Sequence, residues 1–257
     1  DIIISSNNVF TGLTDQPEKA VIAIKGNKIV AIGKQEIIQN YQDEHTKVFK
    51  FENELVMPGF HDYHMHVMHG AISLTGVDLF AARSEEEALE MIAQFAKENA
   101  DQTWILGFTW DAGYWEGKQF PSRYALDKVL PDRPAIMFHA EGHYAWVNSK
   151  ALEIAQIDRN TPAPPYGFIG KDENGEPNGI LYEQAMSFVT DHAYHHLKED
   201  LARIFKNFLN HAASHGVTAV HDMYGTDSLE VLSAYDLFAQ FEKQGKLTTR
   251  IHLWPAL

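Results

Sequence analysis

The segment Val56-Met57-Pro58-Gly59-Phe60-His61-Asp62-Tyr63-His64-Met65-His66 sets three histidines and an aspartate directly after a Pro-Gly break. In an extended strand, residues two apart share a face. His64 and His66 then point one way, with Asp62 in phase, while His61, Tyr63 and Met65 point the other. Two imidazoles side by side on a strand can hold one small cation, with Zn–N contacts of about 2.0–2.1 Å. Ordinary polar contacts are the competing use of a bare H-x-H pair. His61 is out of phase and is read as a local variation, not a ligand.

The other histidines carry weaker signals. His211 and His215 are four apart and can pinch a metal from one helix face, but they lack the Glu of an H-E-x-x-H motif. They also fall in the last turn before Gly216, where imidazoles suit the helix dipole, so capping is the reading. His195 and His196 are adjacent and diverge on a helix; no role is assigned to them. His69 and His139 stay open. Asp222 ends a strand, which is where barrels place functional groups, but a strand-end aspartate is also a common turn or cap residue.

Composition bounds the chemistry. With 21 basic and 35 acidic residues, the net charge of −14 opposes nucleic acid and anionic lipid but not a cationic metal. The chain has no cysteine and 14 histidines. That excludes disulfides and thiolate sites, and it directs a transition metal to imidazole and carboxylate ligands. The same absence fits a reducing compartment, and the cytoplasm is expected. No apolar run approaches the roughly 20 residues of a membrane span. A length of 257 residues suffices for a sizeable core. Both termini fall within apolar runs, which reads as a piece of a longer chain.

The elements that must position these residues follow from periodicity. Residues 1–56 read as short strands, with Val21–Ile24 and Ile29–Ile32 flanking Gly26-Asn27, a tight hairpin turn. From residue 57 on, strands alternate with helices. Ser84 and Glu87 form a capping box, followed by an apolar stripe of Ala88, Leu89, Ile92, Phe95 and Ala96. Strands are expected at 103–108, 134–138, 217–220 and 249–253. Helices are expected from Lys198 to Gly216 and from about Thr226 to Gln244. A Pro/Gly-rich stretch, 148–180, reads as a loop and hairpin excursion. Repeated helix–Gly–strand units imply parallel strands with helical crossovers. A (β/α) barrel leads and an open doubly wound sheet is second. In the barrel, the strand ending at His66 pairs with the strand near Phe138.

The segment Pro58 to His66 resembles the first barrel strand of the amidohydrolase superfamily, PGxIDxHxH. Further motifs occur in the order of the amidohydrolase-3 group, which includes proteins similar to N-substituted formamide deformylases. They are Gly76–Leu79, Trp104–Gly107 to Trp110-Asp111, Pro131–Pro134, Gly142–Ser149, Gly179–Glu183 and Gly216–Asp222. The resemblance covers essentially the whole chain. His61 departs from it, since the family usually has an aliphatic residue there.

This resemblance implies an α/β fold: part of a metal-dependent hydrolase (β/α)8 TIM barrel over 57–257, preceded by an incomplete small β-sandwich over 1–56. It implies His64 and His66 as metal ligands, Asp62 orienting a ligand ring, and Glu183 bridging or completing the site; an exposed Glu opening a helix is the alternative to that last role. His143 would bind substrate or a developing oxyanion, or else is a loop histidine. Trp110 and Asp111 would line the pocket, or else Trp110 is an aromatic at the core edge. The cofactor would be a divalent metal, zinc foremost, and the substrate a small amide-type molecule hydrolysed by metal-activated water. The family's catalytic aspartate and further ligands are expected beyond this chain, which then resembles the N-terminal half of the enzyme. A noncatalytic half-barrel that binds metal or ligand and acts only by association is the alternative. Self-association, or pairing with the missing C-terminal half, is expected in either case.

Overall fold

The computed structural model describes residues 1–195, 197–223 and 234–254. The chain divides into two compact units, residues 1–60 and 61–257.

In the first unit, β1 (Ile2–Val9), β2 (Glu18–Lys25) and β3 (Lys28–Gly33) precede a helical turn, α1 (Ile38–Tyr41), then β4 (Lys47–Lys50) and β5 (Leu55–Val56). They form one five-stranded sheet, β3-β2-β1-β4, with β5 also paired to β1. The β2–β3 hairpin turns at Gly26-Asn27 as the dipeptide predicts, and Gly26 takes the positive φ of 59° that such a turn needs. Ile3, Val21 and Ala23 bury one face of the sheet, and Val9, Ala20 and Ile22 the other. The unit expected to be sandwich-like is thus, among the described residues, a single sheet.

The second unit begins with β6 (Phe60–Met65), which leads into α2 (Val67–Ser73), β7 (Val77–Asp78) and α3 (Glu85–Glu98). Next come β8 (Ile105–Trp110), α4 (Arg123–Val129), β9 (Ala135–His139), β10 (Tyr144–Val147) and α5 (Ser149–Ile154). The hairpin β11 (Gly167–Lys171) and β12 (Pro177–Glu183) is followed by α6 (Ser187–His195), α7 (Leu201–Ser214), β13 (Val217–Asp222), α8 (Tyr235–Lys243) and β14 (Arg250–Leu253). Ser84 caps α3 by accepting from the Glu87 N–H at 3.1 Å, while the Glu87 carboxylate accepts from the Arg83 N–H. The stripe read from the sequence buries Ala88, Ile92 and Ala96. Gly216 ends α7 at a φ of +73°, as its position predicts. The expected start of the last helix near Thr226 lies outside the described residues.

The strands assort into two sheets. β7, β8 and β9 run parallel, and β10, β12 and β11 continue them antiparallel, giving the order β11-β12-β10-β9-β8-β7. The excursion over 148–180 therefore extends a sheet rather than lying apart from one. The other sheet has the order β14-β13-β6, with β13 and β14 parallel. This corrects one expectation: the strand leading to His66 pairs with β13, not with the strand containing Phe138. The reason lies in two contacts between segments far apart in sequence. Met223 N–H donates to Met65 O at 2.8 Å, and the Asp222 carboxylate accepts from Val67 N–H at 3.0 Å. The end of β13 is thereby stitched to the β6–α2 corner. The main core lies around α2, α6, α7 and α8 with β9, β10 and β12, and Phe205 is fully buried in it.

Candidate metal centre and active site

β6 ends where α2 begins, and His66 occupies the N-cap position of that helix. The His64 and His66 rings lie 5.6 Å apart at 77°, as two imidazoles from one strand face should. His66 and His69 are 5.7 Å apart at 78°. Asp62 does not reach a ring: its carboxylate accepts from the His64 backbone N–H at 2.9 Å. It steadies His64 through the main chain instead.

A cavity of about 600 Å³ opens beside this corner, walled among others by His66, His69, Phe138, Glu183 and Tyr194. Thus His66 and Glu183, 117 positions apart in sequence, share one wall. Surrounding protein pushes the His69 imidazole down to about 4, first by desolvation and then by the neighbouring His66, so its ring is neutral. Glu183 has φ 49° and ψ −126°, a region that side chains rarely occupy. Two contacts with one residue hold it there. Its N–H donates to His143 O at 2.9 Å, and its carboxylate lies 3.0 Å from His143 Nδ1. Thr109, on the same cavity wall, also has positive φ, at a bulge in β8.

Asp222 is 1% exposed. Burial raises its pKa, and the Val67 N–H and the charge of His66 pull the other way. One carboxylate oxygen takes the Val67 bond; the other, Oδ2, has no hydrogen-bond partner among the described residues. Buried polar atoms are nearly always paired. His66, with His64 beside it, and the Asp222 carboxylate whose charge it feels offer nitrogen and oxygen donors of the kind that suits a borderline divalent cation.

Of the remaining residues singled out in the sequence, His139 also lines this cavity, and the others are dispersed. Trp110 is fully buried, and its indole N–H donates to Met137 O at 2.8 Å, so it is a core residue here and not part of the cavity wall. Asp111 caps a 3-10 turn by accepting from Gly113 N–H at 2.7 Å, and lies 3.5 Å from His139. His139 is buried, with Tyr144 Oη 2.8 Å from its Nε2. His143 is largely exposed and meets the site only through Glu183. His211 and His215 sit at the end of α7, where His215 Nδ1 lies 2.9 Å from His211 O, as the capping reading expects. His195 ends α6, and His196 lies outside the described residues.

His64, His66 and Glu183 do not close into a group with ligand atoms within 4.8 Å of one another. Among the described residues, the three or more histidines and carboxylates whose ligand atoms all lie within 4.8 Å of one another are His61, His221 and His252. The sequence reading set His61 aside. The missed signal was its shared face with Tyr63, together with a histidine at matching positions of β13 and β14.

Comparison with known proteins agrees with this architecture. A metal-dependent hydrolase of Pyrococcus horikoshii superposes with a TM-score of 0.64 at 22% identity, over 98% of this chain and 48% of that one. The putative amidohydrolase YtcJ of Bacillus subtilis is 28% identical over 251 residues, 95% of this chain and 46% of that protein. The N-substituted formamide deformylase of Arthrobacter pascens is 25% identical, over 96% and 46% respectively. Protein LONG AFTER FAR-RED 3 of Arabidopsis thaliana is 26% identical, over 99% and 44%. The chain spans about half the length of the curated relatives it matches. No helix among the described residues is long and apolar enough to cross a membrane. Residues 48–256 match the amidohydrolase family, and with a mixed α/β fold like that of metal-dependent hydrolases this chain belongs to that family, in its amidohydrolase-3 group.

Proposed function

We propose that this chain carries the metal-binding part of a hydrolase that cleaves an amide-type C–N bond in a small molecule. The observation that carries the reading is the cavity lined by both His66 and Glu183; Asp222, whose charge interacts with His66, has one buried oxygen without a hydrogen-bond partner among the described residues. His64 and His66 would hold a divalent cation, most simply zinc, with Glu183 or Asp222 as an oxygen donor. Bound there, the cation would polarise the substrate carbonyl and make a nearby water acidic enough to deprotonate near neutral pH. The protein groups do the rest. His143 fixes the Glu183 carboxylate at the cavity wall. His69, at the cavity wall, is held neutral and so adds no positive charge beside a bound cation. A cavity of about 600 Å³ is of the size that encloses a small ligand.

The family resemblance supports a (β/α) barrel for the whole protein, in which this chain would be the front half. A formamide or related amide substrate is supported by likeness to a deformylase, at the level of a relative's name. The test is zinc and manganese titration of the protein and of its H64A and H66A variants, alongside turnover on a panel of formamides, amides and lactams. The proposal expects either substitution to remove the metal held at His64 and His66, and turnover with it. Turnover that survives both substitutions, or that persists after complete chelation, refutes it.

A further inference from the structure

We propose that His61, His221 and His252 form a second metal site, for a borderline divalent cation such as Zn²⁺, on the face of β6 opposite His64 and His66. The three side chains come from three neighbouring strands, in the order β14-β13-β6. His221 and His252 are register partners. Adjacent strands lie about 4.7–4.9 Å apart, so side chains at one height on one face converge. The ring centroids are 4.8 Å apart for His221 and His252, 4.9 Å for His61 and His221, and 5.6 Å for His61 and His252. Their ligand atoms all fall within 4.8 Å of one another. Three nitrogens around one tetrahedral zinc, each at about 2.0–2.1 Å, sit roughly 3.4 Å apart. Small χ rotations of exposed or half-exposed rings supply that closure.

The donor chemistry narrows the ligand. Three imidazoles with no thiolate and no carboxylate favour Zn²⁺, Co²⁺, Ni²⁺ or Cu²⁺ over Mg²⁺ or Ca²⁺, which prefer oxygen. Three protein ligands leave a fourth position for water or a small anion, the open form of a zinc site. Tyr63 stacks on His61 at 4.4 Å and limits its freedom.

Trp254 adds a lock. Its indole N–H donates to His221 Nδ1 at 2.6 Å, and its ring stacks on His221 at 5.7 Å. A neutral imidazole that accepts at Nδ1 carries its proton on Nε2. Neither nitrogen can then bind a cation until the indole lets go. Metal loading therefore breaks the Trp254 hydrogen bond, and the indole reports it.

The site is independent of the proposed catalytic metal, and the test separates the two. Zinc is titrated into the intact protein carrying H64A and H66A together, with tryptophan fluorescence and equilibrium dialysis as readouts. One zinc per chain should remain, accompanied by a fluorescence change. Adding H61A or H252A should weaken it by at least the 10–100-fold typical of losing even a supporting contact, about 10-fold being the threshold. W254F should abolish the fluorescence change while zinc still binds, no more weakly than before. In the otherwise unaltered protein, H252A should lower zinc content by one per chain. The proposal is overturned if H64A/H66A protein that is folded by circular dichroism binds no zinc. It is overturned equally if the remaining zinc is indifferent to both H61A and H252A, or if Mg²⁺ binds as tightly as Zn²⁺.

Discussion

Replacing Asp222 distinguishes its structural contribution from its charge. Its carboxylate is buried, with one oxygen bonded to Val67 N–H and the other without a hydrogen-bond partner among the described residues. Asp222→Ala leaves that buried N–H without an acceptor at the start of α2, which costs about 1–3 kcal/mol. It also removes a poorly solvated charge, which offsets part of the loss. Asp222→Asn keeps an acceptor for Val67 and removes the charge, so its stability should lie within about 1 kcal/mol of the parent. The sign with pH follows from the raised pKa. The folded protein holds this proton more tightly than the unfolded chain, so the penalty is full above the folded pKa and vanishes below the ordinary aspartate value of 3.8. Any advantage of Asp222→Asn at pH 7 should therefore shrink on acidification. Urea unfolding in EDTA, at a series of pH values, measures all three proteins without metal. An Asp222→Ala protein within about 0.5 kcal/mol of the parent, as for an ordinary surface change, would refute the clamp between β13 and the β6–α2 corner.

His69 supplies a second acid response, of the opposite sign. Its folded pKa of about 4 lies below the usual 6.5, so the unfolded chain binds more protons in that interval and stability falls as pH drops from 6.5 toward 4. His69→Asn should flatten this limb in urea titrations. Gly179→Ala should cost upwards of about 2 kcal/mol by thermal unfolding, since its φ is +98° and a Cβ would lie 2.6 Å from Val147 O and 2.7 Å from the Arg123 backbone. Phe205→Ala should cost about 3–5 kcal/mol, the range for a fully buried aromatic, because Phe238 and Phe241 close on it from 4.8 and 4.9 Å.

Local chemistry made much of the fold legible. The Gly26-Asn27 turn, the Ser84 cap, the α3 stripe and the Gly216 stop each act within a few residues, and each appears where its residues predict. The pairing of strands was not legible, because it rests on contacts between distant segments, such as Asp222 with Val67, 155 positions apart. The site divides in the same way. Strand alternation was enough to set His64 beside His66. The same alternation made His61 a bystander, since nothing in its own strand reveals that His221 and His252 stand alongside. Trp110 resembled a pocket residue by motif, yet its indole is satisfied by Met137 O in the core. A motif fixes which residues occur together, not which way each one points.

Glu183 sits in a backbone region that glycine occupies without strain, and holding a larger residue there costs of order 1–3 kcal/mol. Glycine at this position would relieve that strain at the price of a more flexible unfolded chain, about 0.5–1 kcal/mol. A library selected for heat resistance alone should therefore favour Glu183→Gly, whereas one selected for turnover should purge it. The two selections would pull one codon in opposite directions, and the gap between their outcomes would measure how much stability the protein forgoes to keep a carboxylate at that bend.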